Sequence, residues 1–454
     1  MQKLFKKLIP IISFAILIDT GCRKQDQVVL HPRTPSVPAN EDAQNGANRF
    51  DSYVAQSWYN LMMKLIVETP GHTPPIVARS FGYIGVTLYE AIAGEMANHN
   101  SLVGQLNGLN SVPERKYGNS YFAPLTANAA LARIIKDLFL NSSVDNLGRI
   151  DSLESAIVKS YNGKISQEII MRSRDYGHAV ADAIYNWSRT DGGDQAYLNI
   201  FPADYVPPVG VSKWVPTPPL YQPAMLPYWG NNRLMLSADE VGAVDPPPPP
   251  AFSTSPGSAF YDAAYEVYNT GVHLTPEQTT IALYWADAAA TVTPPGHNIA
   301  IALQMIRNKN LNLYQAAILL SKVGIALNDA GIVCWRAKYK WNLLRPVTFI
   351  QKYIDPSWMP LIGTPPFPSY TSGHSTFSEA TAAILSKEIG NQVSFTDSSG
   401  MLYGFLLRSF SNFNDYAKEA AISRLYGGIH YRFDNESGFN CGQLIAMNVE
   451  HLNW

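Results

Sequence analysis

Three patterns in the carboxyl-terminal third of the sequence decide the fold: KYKWNLLRP (338–346), PSYTSGH (368–374) and SRLYGGIHYRFD (423–434). The first pattern ends a segment that starts at Leu313 and is rich in Ala, Leu, Ile and Lys, which predicts a long helix to about Leu344. Lys338 and Arg345 are seven residues apart, or two turns, and therefore share one face of that helix. Pro346 disfavours helical geometry at Arg345, so we expect the helix to end there.

The second pattern predicts the start of another helix. Gly373 permits a tight turn after the prolines, and the residues from His374 to Ile389 have helical composition. The amino-terminal end of a helix presents free N–H groups and the positive end of the helix dipole, which together can bind an anion. Ser372 can add a hydroxyl donor, and His374 can donate or accept a proton. Taken alone, however, the triplet is more typical of an ordinary turn and helix cap.

The third pattern contains a predicted helix break. Arg424 and His430 are six residues apart, which on a continuous helix would separate them by roughly 120°. Gly427 and Gly428 lie between them, so a break there would let both side chains face one pocket. Asp434 follows His430 by four residues and either orients the imidazole or caps the last helix. Together the three patterns predict cations, donors and two histidines around a tetrahedral oxyanion.

The ordered set K-x6-R-P, P-S-x-x-S-G-H and S-R-x5-H-x3-D resembles the vanadium-dependent haloperoxidases, within the superfamily of type 2 phosphatidic acid phosphatases. This resemblance implies an all-α fold of two helical bundles with the oxyanion site in the carboxyl-terminal bundle. It also implies a vanadate cofactor, in a site that phosphate can occupy as well. The residues that it assigns to the vanadate or phosphate are Lys338, Arg345, Ser372, Gly373, Arg424 and His430.

The resemblance further implies roles for single residues. His430 is expected to bind vanadium, His374 to act as the acid-base group and Lys338 to polarise the bound peroxide. Asp287, in the segment YWAD (284–287), is expected to pair with Arg424 and to belong to the catalytic set. Trp335 and Phe367 stand where related enzymes carry aromatic residues near the halide.

Three functions remain open from the residues alone. The first is a vanadate-dependent haloperoxidase, with hydrogen peroxide and a halide as substrates. The second is an acid phosphatase of the same superfamily that hydrolyses phosphate monoesters through a phosphohistidine. The third is a lipoprotein that binds an anion or a partner without turnover, although simple anion capture does not require two histidines. The two flanking aromatic residues favour the haloperoxidase.

The amino terminus resembles an export signal. Three lysines precede an apolar run over 8–18 that is too short to span a bilayer, and Gly21-Cys22 follows as in bacterial lipoprotein signals, although Asp19 departs from that pattern. We therefore expect a signal peptide over 1–22, lipid attachment at Cys22 and a polar, proline-bearing tether over 23–48. The expected location is the cell envelope, as a periplasmic or outer-membrane lipoprotein.

Composition sets the limits for the rest of the chain. The sequence has 454 residues, 46% of them hydrophobic and 15% charged, which suits a large buried core. A net charge of −2 gives no reason to expect nucleic acid as a partner, or a membrane except through the lipid anchor. The sequence carries no signal for an oligomeric state.

The body, 49–454, is expected to contain two helical bundles. The first is predicted over about 49–190 and the second, with the active site, over about 258–454. Between them, at 191–257, repeated prolines forbid long helices, so this segment is either a wall of the substrate entrance or a covering linker. In the second bundle we expect a helix over 276–290, followed by a turn at TPPGH (293–297).

Overall fold

The computed structural model describes residues 50–96, 99–236, 244–288 and 290–454. The predicted signal peptide with Cys22 and the predicted tether lie outside the described residues. Within the described part, the chain forms thirteen α-helices and one pair of short strands. The predicted all-α class is therefore confirmed.

The helices are numbered in chain order. The first five are α1 Tyr53–Glu68, α2 Pro74–Ala93, α3 Ala123–Leu138, α4 Val144–Ser160 and α5 Gln167–Ser188. The next four are α6 Ala259–Val272, α7 Pro276–Tyr284, α8 Thr293–Asn308 and α9 Leu313–Trp341. The last four are α10 Pro346–Tyr353, α11 Gly373–Ile389, α12 Phe413–Tyr426 and α13 Arg432–Glu450. The strands β1 Phe395–Asp397 and β2 Arg408–Phe410 pair antiparallel.

The packing of α2 along α9 forms the centre of the core. Both helices are apolar on nearly every side, and almost every residue of α2 is buried. Glycines let the two backbones approach closely: a Cβ at Gly324 would lie 2.4 Å from the carbonyl oxygen of Phe81, and one at Gly85 would lie 2.8 Å from that of Leu320. The main hydrophobic core contains residues from α1 to α13, whereas α6 and α10 pack together in a second apolar cluster.

Helix α9 is long and apolar enough to cross a membrane by length and composition, and 94% of its most apolar window is buried inside the protein. This burial is typical of the central helix of a folded core. Its carboxyl-terminal end carries Lys338 into the same interior.

Helices α11 and α13 form the second close contact. A Cβ at Gly438 would lie 2.6 Å from the carbonyl oxygen of Ser372, and one at Gly442 would lie 2.5 Å from that of Thr376. The start of α11 is therefore pressed against α13, immediately after the segment that carries His430. This contact fixes the position of the Ser-Gly-His triplet relative to the third sequence pattern.

The proline-rich segment packs against the elements that carry the first two patterns. Trp214 donates its backbone N–H to the carbonyl of Asn342, 2.7 Å away, and Met225 donates to the carbonyl of Pro366, 2.9 Å away. The hydroxyl of Tyr370 donates to the carbonyl of Pro247. The segment thus braces the α9–α10 connection and the chain before α11. The division into two bundles at this segment stays a prediction.

Two predicted features after 276 were wrong. Helix α7 ends at Tyr284, not at 290, and Asp287 has a positive φ of 42°. TPPGH is not a turn but the first turn of α8. The prolines there stand at the start of the helix, where their missing N–H groups are not needed and their fixed φ suits the helix.

We expect Gly324→Ala to lower the free energy of unfolding by about 1–3 kcal/mol, because the new methyl group would meet the Phe81 carbonyl and force α2 and α9 apart. Gly331→Ala is the matched control on the same helix, since its Cβ would lie 3.5 Å from the ring of Phe377, an ordinary contact. Denaturant unfolding followed by circular dichroism measures both. Equal stability of the two variants would contradict the close-packing interpretation.

Candidate active site

Lys338 is fully buried near the end of α9, and its ammonium group donates hydrogen bonds to the backbone of the segment before α11. Its ammonium group donates to the carbonyl oxygens of Pro368 and Ser369, each 3.0 Å away, and to that of Thr371, 2.5 Å away. An ammonium group has three donors, so all of them are engaged. Lys338 therefore fixes the segment that leads into the helix start, and its positive charge remains inside the site.

Arg345 lies between α9 and α10, in an extended conformation imposed by Pro346. The guanidinium is fully buried, and two of its nitrogens donate to carbonyl oxygens, Nε to Phe367 and Nη1 to Ile429, both at 2.8 Å. Nη1 also lies 3.1 Å from Nε2 of His430. The remaining nitrogen, Nη2, has no hydrogen-bond partner among the described residues. The predicted juxtaposition of Arg345 and His430 is thus present.

Ser372 precedes the first residue of α11 but does not cap the helix through its side chain. Its hydroxyl oxygen is buried and has no hydrogen-bond partner within the described ranges, while its backbone N–H donates to the carbonyl of Asp434, 3.0 Å away. The hydroxyl is therefore free to serve another group. Gly373 begins the helix, where the first N–H groups have no partner within the helix and the dipole is positive.

His430 is held in one tautomer by Asp434. Its Nδ1 lies 2.8 Å from a carboxylate oxygen of Asp434, which also accepts the hydroxyl of Ser369 and the backbone N–H of Tyr431. Because the carboxylate accepts, Nδ1 carries the proton and Nε2 keeps its lone pair. Burial, reinforced by Arg345 and Lys338, holds the pKa of His430 well below its usual value, so the ring is neutral.

Arg424 enters the site from the last turn of α12. The predicted break follows it, since α12 ends at Tyr426 and Gly428 has a φ of 77°. Nη1 of Arg424 donates to the carbonyl of Trp285, 2.6 Å away, whereas Nε is buried without a partner in the described part of the chain. The structure therefore brings Arg424 and His430 to one site despite their unfavourable helical spacing.

The expected ion pair between Asp287 and Arg424 is not what the structure shows. The ion-pair partners of Asp287 are His297, at 3.0 Å, and His374, at 3.3 Å. Arg424 contacts the backbone carbonyl of Trp285 instead, although Asp287 is near enough to stabilise its charge. The reason is the early end of α7: the chain turns at Asp287 with positive φ, and its carboxylate faces the histidines.

Trp335 and Phe367 lie together beside the cations. Their ring centroids are 4.9 Å apart, and the Lys338 ammonium and Arg345 guanidinium are 4.9 Å and 5.0 Å from the Phe367 centroid. The two aromatic residues predicted for a halide pocket therefore form one apolar wall next to positive charge.

The donors in this cluster suit an oxyanion. Three buried donor atoms of this cluster have no hydrogen-bond partner among the described residues: Ser372 Oγ, Arg345 Nη2 and Arg424 Nε. Three cations face one carboxylate at Asp434 and one at Asp287, which leaves positive charge uncompensated. An anion with several acceptor oxygens satisfies both the donors and the charge. Across the described residues, no group of three or more His, Cys, Asp or Glu is arranged to hold a metal ion.

Burial also shifts the pKa values of the two groups that could exchange protons here. It lowers the pKa of Lys338 to about 7, with Arg345 acting in the same direction. It lowers the pKa of His374 to about 4, with a further contribution from Arg424 and opposition from Asp287. A bound anion would raise both values, because a nearby negative charge favours the protonated forms.

Fold and site together define an all-α protein with a buried oxyanion site at a helix start. A family model described as the VCPO second helical-bundle domain matches residues 318–453. The chain is 34% identical to the protein in the crystal structure of the first bacterial vanadium-dependent iodoperoxidase, with a TM-score of 0.81, over 88% of this chain and 96% of that one. The chain belongs to the vanadium-dependent haloperoxidase family.

Two further relatives match over shorter regions. A vanadium chloroperoxidase from Curvularia inaequalis is 26% identical in an alignment of 221 positions, and the match covers 35% of this chain and 36% of the relative. A vanadium-dependent bromoperoxidase from Ascophyllum nodosum is 33% identical over 101 residues, or 20% of this chain and 18% of the relative. The chain thus matches about a third of the length of the first of these curated relatives and less than a fifth of the second.

Sequence reasoning missed several groups that hold the site together. Asp397 was not singled out, yet it accepts from His297, and Ser369 was not, yet it donates to Asp434. The sequence Asp397-Ser398-Ser399 is a recognisable turn signal. It could have predicted a carboxylate fixed by backbone and hydroxyl donors, but not its distant partner.

We expect stability to rise with pH between about 4 and 6.5, because His374 is neutral in the folded protein in that range and protonated in the unfolded chain. Such a histidine contributes up to about 1.4 kcal/mol per pH unit. His374→Gln should flatten the slope of unfolding free energy against pH, measured in anion-free buffer. The comparison variant is His451→Gln, at the exposed carboxyl terminus. An unchanged slope in His374→Gln would contradict a buried neutral His374.

Proposed function

We propose that the protein is a vanadate-dependent haloperoxidase that oxidises halide with hydrogen peroxide to hypohalous acid. The observation that carries this proposal is the set of unused buried donors on Arg345, Arg424 and Ser372 in the cluster that contains His430, whose Nε2 keeps its lone pair. Arg345, Arg424 and His374 are all near enough to His430 to lower its pKa. Membership of the haloperoxidase family supports the same activity. The apolar wall of Trp335 and Phe367 supports a halide as the species that meets the site.

The residues have separate proposed roles toward vanadate. Of the two ring nitrogens of His430, Nε2 is the one that can bind vanadium, because Asp434 holds the proton on Nδ1. Arg345 and Arg424 hold the oxyanion through their free N–H groups, and Ser372 and the Gly373 N–H complete the set of donors. Lys338 adds charge and holds the backbone before Ser372 in place. When bound, vanadate supplies a Lewis acid that activates peroxide without haem or flavin.

His374 is the proposed acid-base group. Its Nε2 faces Asp287 across 3.3 Å, and the ring side chain is 12% exposed, so it is buried yet still reachable. A neutral His374 can accept a proton from hydrogen peroxide as it enters, and Asp287 stabilises the imidazolium that forms. The same ring can return the proton when the product leaves. Asp287 thus acts on the reaction through His374.

Purified protein supplied with vanadate and peroxide is expected to oxidise iodide, bromide or chloride, tested in turn, and phosphate is expected to inhibit by competing for the site. His374→Ala should lower turnover by about 10²–10⁴-fold while vanadate binding is retained. His178→Ala is the control, since that histidine pairs with Glu154 on another part of the protein.

Two results would decide against the proposal. Hydrolysis of a chromogenic phosphate ester without peroxide-dependent halogenation would favour the acid phosphatase, which uses the same cations and would make His430 the nucleophile. Vanadate binding without either reaction would favour a binding protein. Full turnover in His374→Ala would reject the proton-transfer role alone.

Ser372→Ala tests the donor set directly. Its hydroxyl has no other partner among the described residues, so the variant loses only the bond to the anion. A hydrogen bond to a charged acceptor contributes about 1.5–3 kcal/mol, so vanadate should bind roughly 10–150-fold more weakly. Equilibrium dialysis of vanadate measures this, with Ser375→Ala, one turn along α11, as the control. Equal affinity of the two variants would remove Ser372 from the donor set.

The cellular location of the protein stays a prediction. Export, lipid attachment at Cys22 and location in the cell envelope rest on the amino-terminal sequence, which lies outside the described residues.

A further inference from the structure

His297 is the centre of a buried cluster in which only Asp287 has a role in the haloperoxidase reaction proposed above. The residue lies in the first turn of α8, and its ring is placed between two carboxylates. Nδ1 is 3.0 Å from Asp287 and Nε2 is 2.8 Å from Asp397. All three side chains are at least nine-tenths buried. Both ring nitrogens of His297 are therefore committed to acidic partners.

The surroundings of Asp397 decide where the protons are. Besides His297, its two oxygens accept from the hydroxyl of Tyr284, the amide of Gln304, and the backbone N–H and hydroxyl of Ser399. A carboxylate that accepts so many bonds is ionised, and an ionised carboxylate can only accept. Nε2 of His297 must then donate.

The second ring nitrogen faces the same requirement. Asp287 holds His297 with one oxygen and lies 3.3 Å from Nε2 of His374 with the other. Burial would favour the neutral acid, but His297 outweighs it and holds the pKa of Asp287 below its usual range. Nδ1 of His297 therefore donates as well, and the ring is an imidazolium between two carboxylates.

Two further observations fit a fixed imidazolium. The ring stacks on Trp285 with centroids 4.4 Å apart and planes 18° apart, the contact that a cation makes with an indole face. Although burial opposes it, the pair of carboxylates raises the pKa of His297 to about 10. The stacked ring and the two ion pairs leave it no freedom to rotate.

We propose that His297, clamped between Asp287 and Asp397, is a positioning residue that fixes the Asp287 carboxylate toward His374 and partly neutralises it. This inference deepens the proposed function, since it concerns how the acid-base residue of that reaction is set. Asp397 anchors the clamp from β1, outside the residues that meet the oxyanion. Because His297 and His374 share the Asp287 carboxylate, that carboxylate stabilises a protonated His374 less than an unshared one would. His374 therefore stays neutral and able to accept a proton.

The charged and titratable groups around His297 come from four directions. Asp287 faces it from the chain after α7, Asp397 from β1, Tyr284 from α7, and His374 lies beyond Asp287 on α11. The positive charge of His297 disfavours protonation of His374, and Arg424 acts in the same direction. Removal of the His297 charge should therefore make His374 easier to protonate.

The test uses histidine side-chain NMR on the full-length, vanadate-free protein with ¹⁵N-labelled imidazoles. At pH 8, wild-type protein should show two ring N–H protons for His297, shifted to low field by its carboxylate partners. In His297→Gln these signals should be lost, and the titration midpoint of His374 should move upward by about one pH unit. His178→Gln removes another histidine–carboxylate pair, His178–Glu154, and should leave His374 unchanged.

One ring proton on His297 at pH 8 in the wild type would overturn the proposal, and this measurement needs no variant to fold. An unmoved His374 midpoint in folded His297→Gln would also overturn it. In the active enzyme, the acidic limb of the pH–rate profile should move upward together with the midpoint. The NMR signals do not depend on turnover. The proposed role of His297 can therefore be rejected while the haloperoxidase activity is confirmed, and the activity can be rejected while the role of His297 is confirmed.

Discussion

Three buried cations are the constraint on which the rest of this structure depends. Lys338, Arg345 and Arg424 are each at most 4% exposed, and taking such ions out of water costs several kcal/mol apiece by order of magnitude. Backbone carbonyls offset part of this cost, because every one of the three groups donates to at least one of them. The carbonyls also fix the orientation of the groups, and donors on Arg345 and Arg424 are left without a partner among the described residues. A bound oxyanion would supply the remaining compensation.

This arrangement needs backbone segments that are fixed to within a fraction of an ångström. The close contact of α11 with α13 at Gly438 places Ser372 beside Asp434, and the contact of α2 with α9 holds the helix that carries Lys338. The proline-rich segment supports the connections from outside, through Asn342 and Pro366. The glycine contacts and the carbonyl acceptors therefore depend on each other, since movement of either helix would shift the carbonyl oxygens and redirect a cation.

Three histidines in one small region have three different electrostatic settings. His430 shares one carboxylate with other donors and stands among cations, so it is neutral and keeps a lone pair on Nε2. His297 stands between two carboxylates, which favour its charged form. His374 faces a carboxylate that His297 already engages and a guanidinium nearby, which favours the neutral form. The charge state of the imidazole thus differs among the three sites because its neighbours differ.

The sequence by itself determined the helical class, the long helix that carries Lys338, the helix start after Ser372 and the break after Arg424, although the long helix ends at Trp341, a few residues earlier than predicted. These features follow from local composition and from Gly and Pro, whose effects act within a few residues. It could not determine that the Lys338 ammonium donates to backbone carbonyls, or that Asp287 pairs with His297 and His374 instead of Arg424. Nor could it determine that Asp397, about 100 residues further along the chain, accepts a hydrogen bond from His297. Those outcomes depend on which segments pack together, and only the tertiary structure decided them, because hydrogen bonds and ion pairs act over a few ångströms in space regardless of distance along the chain.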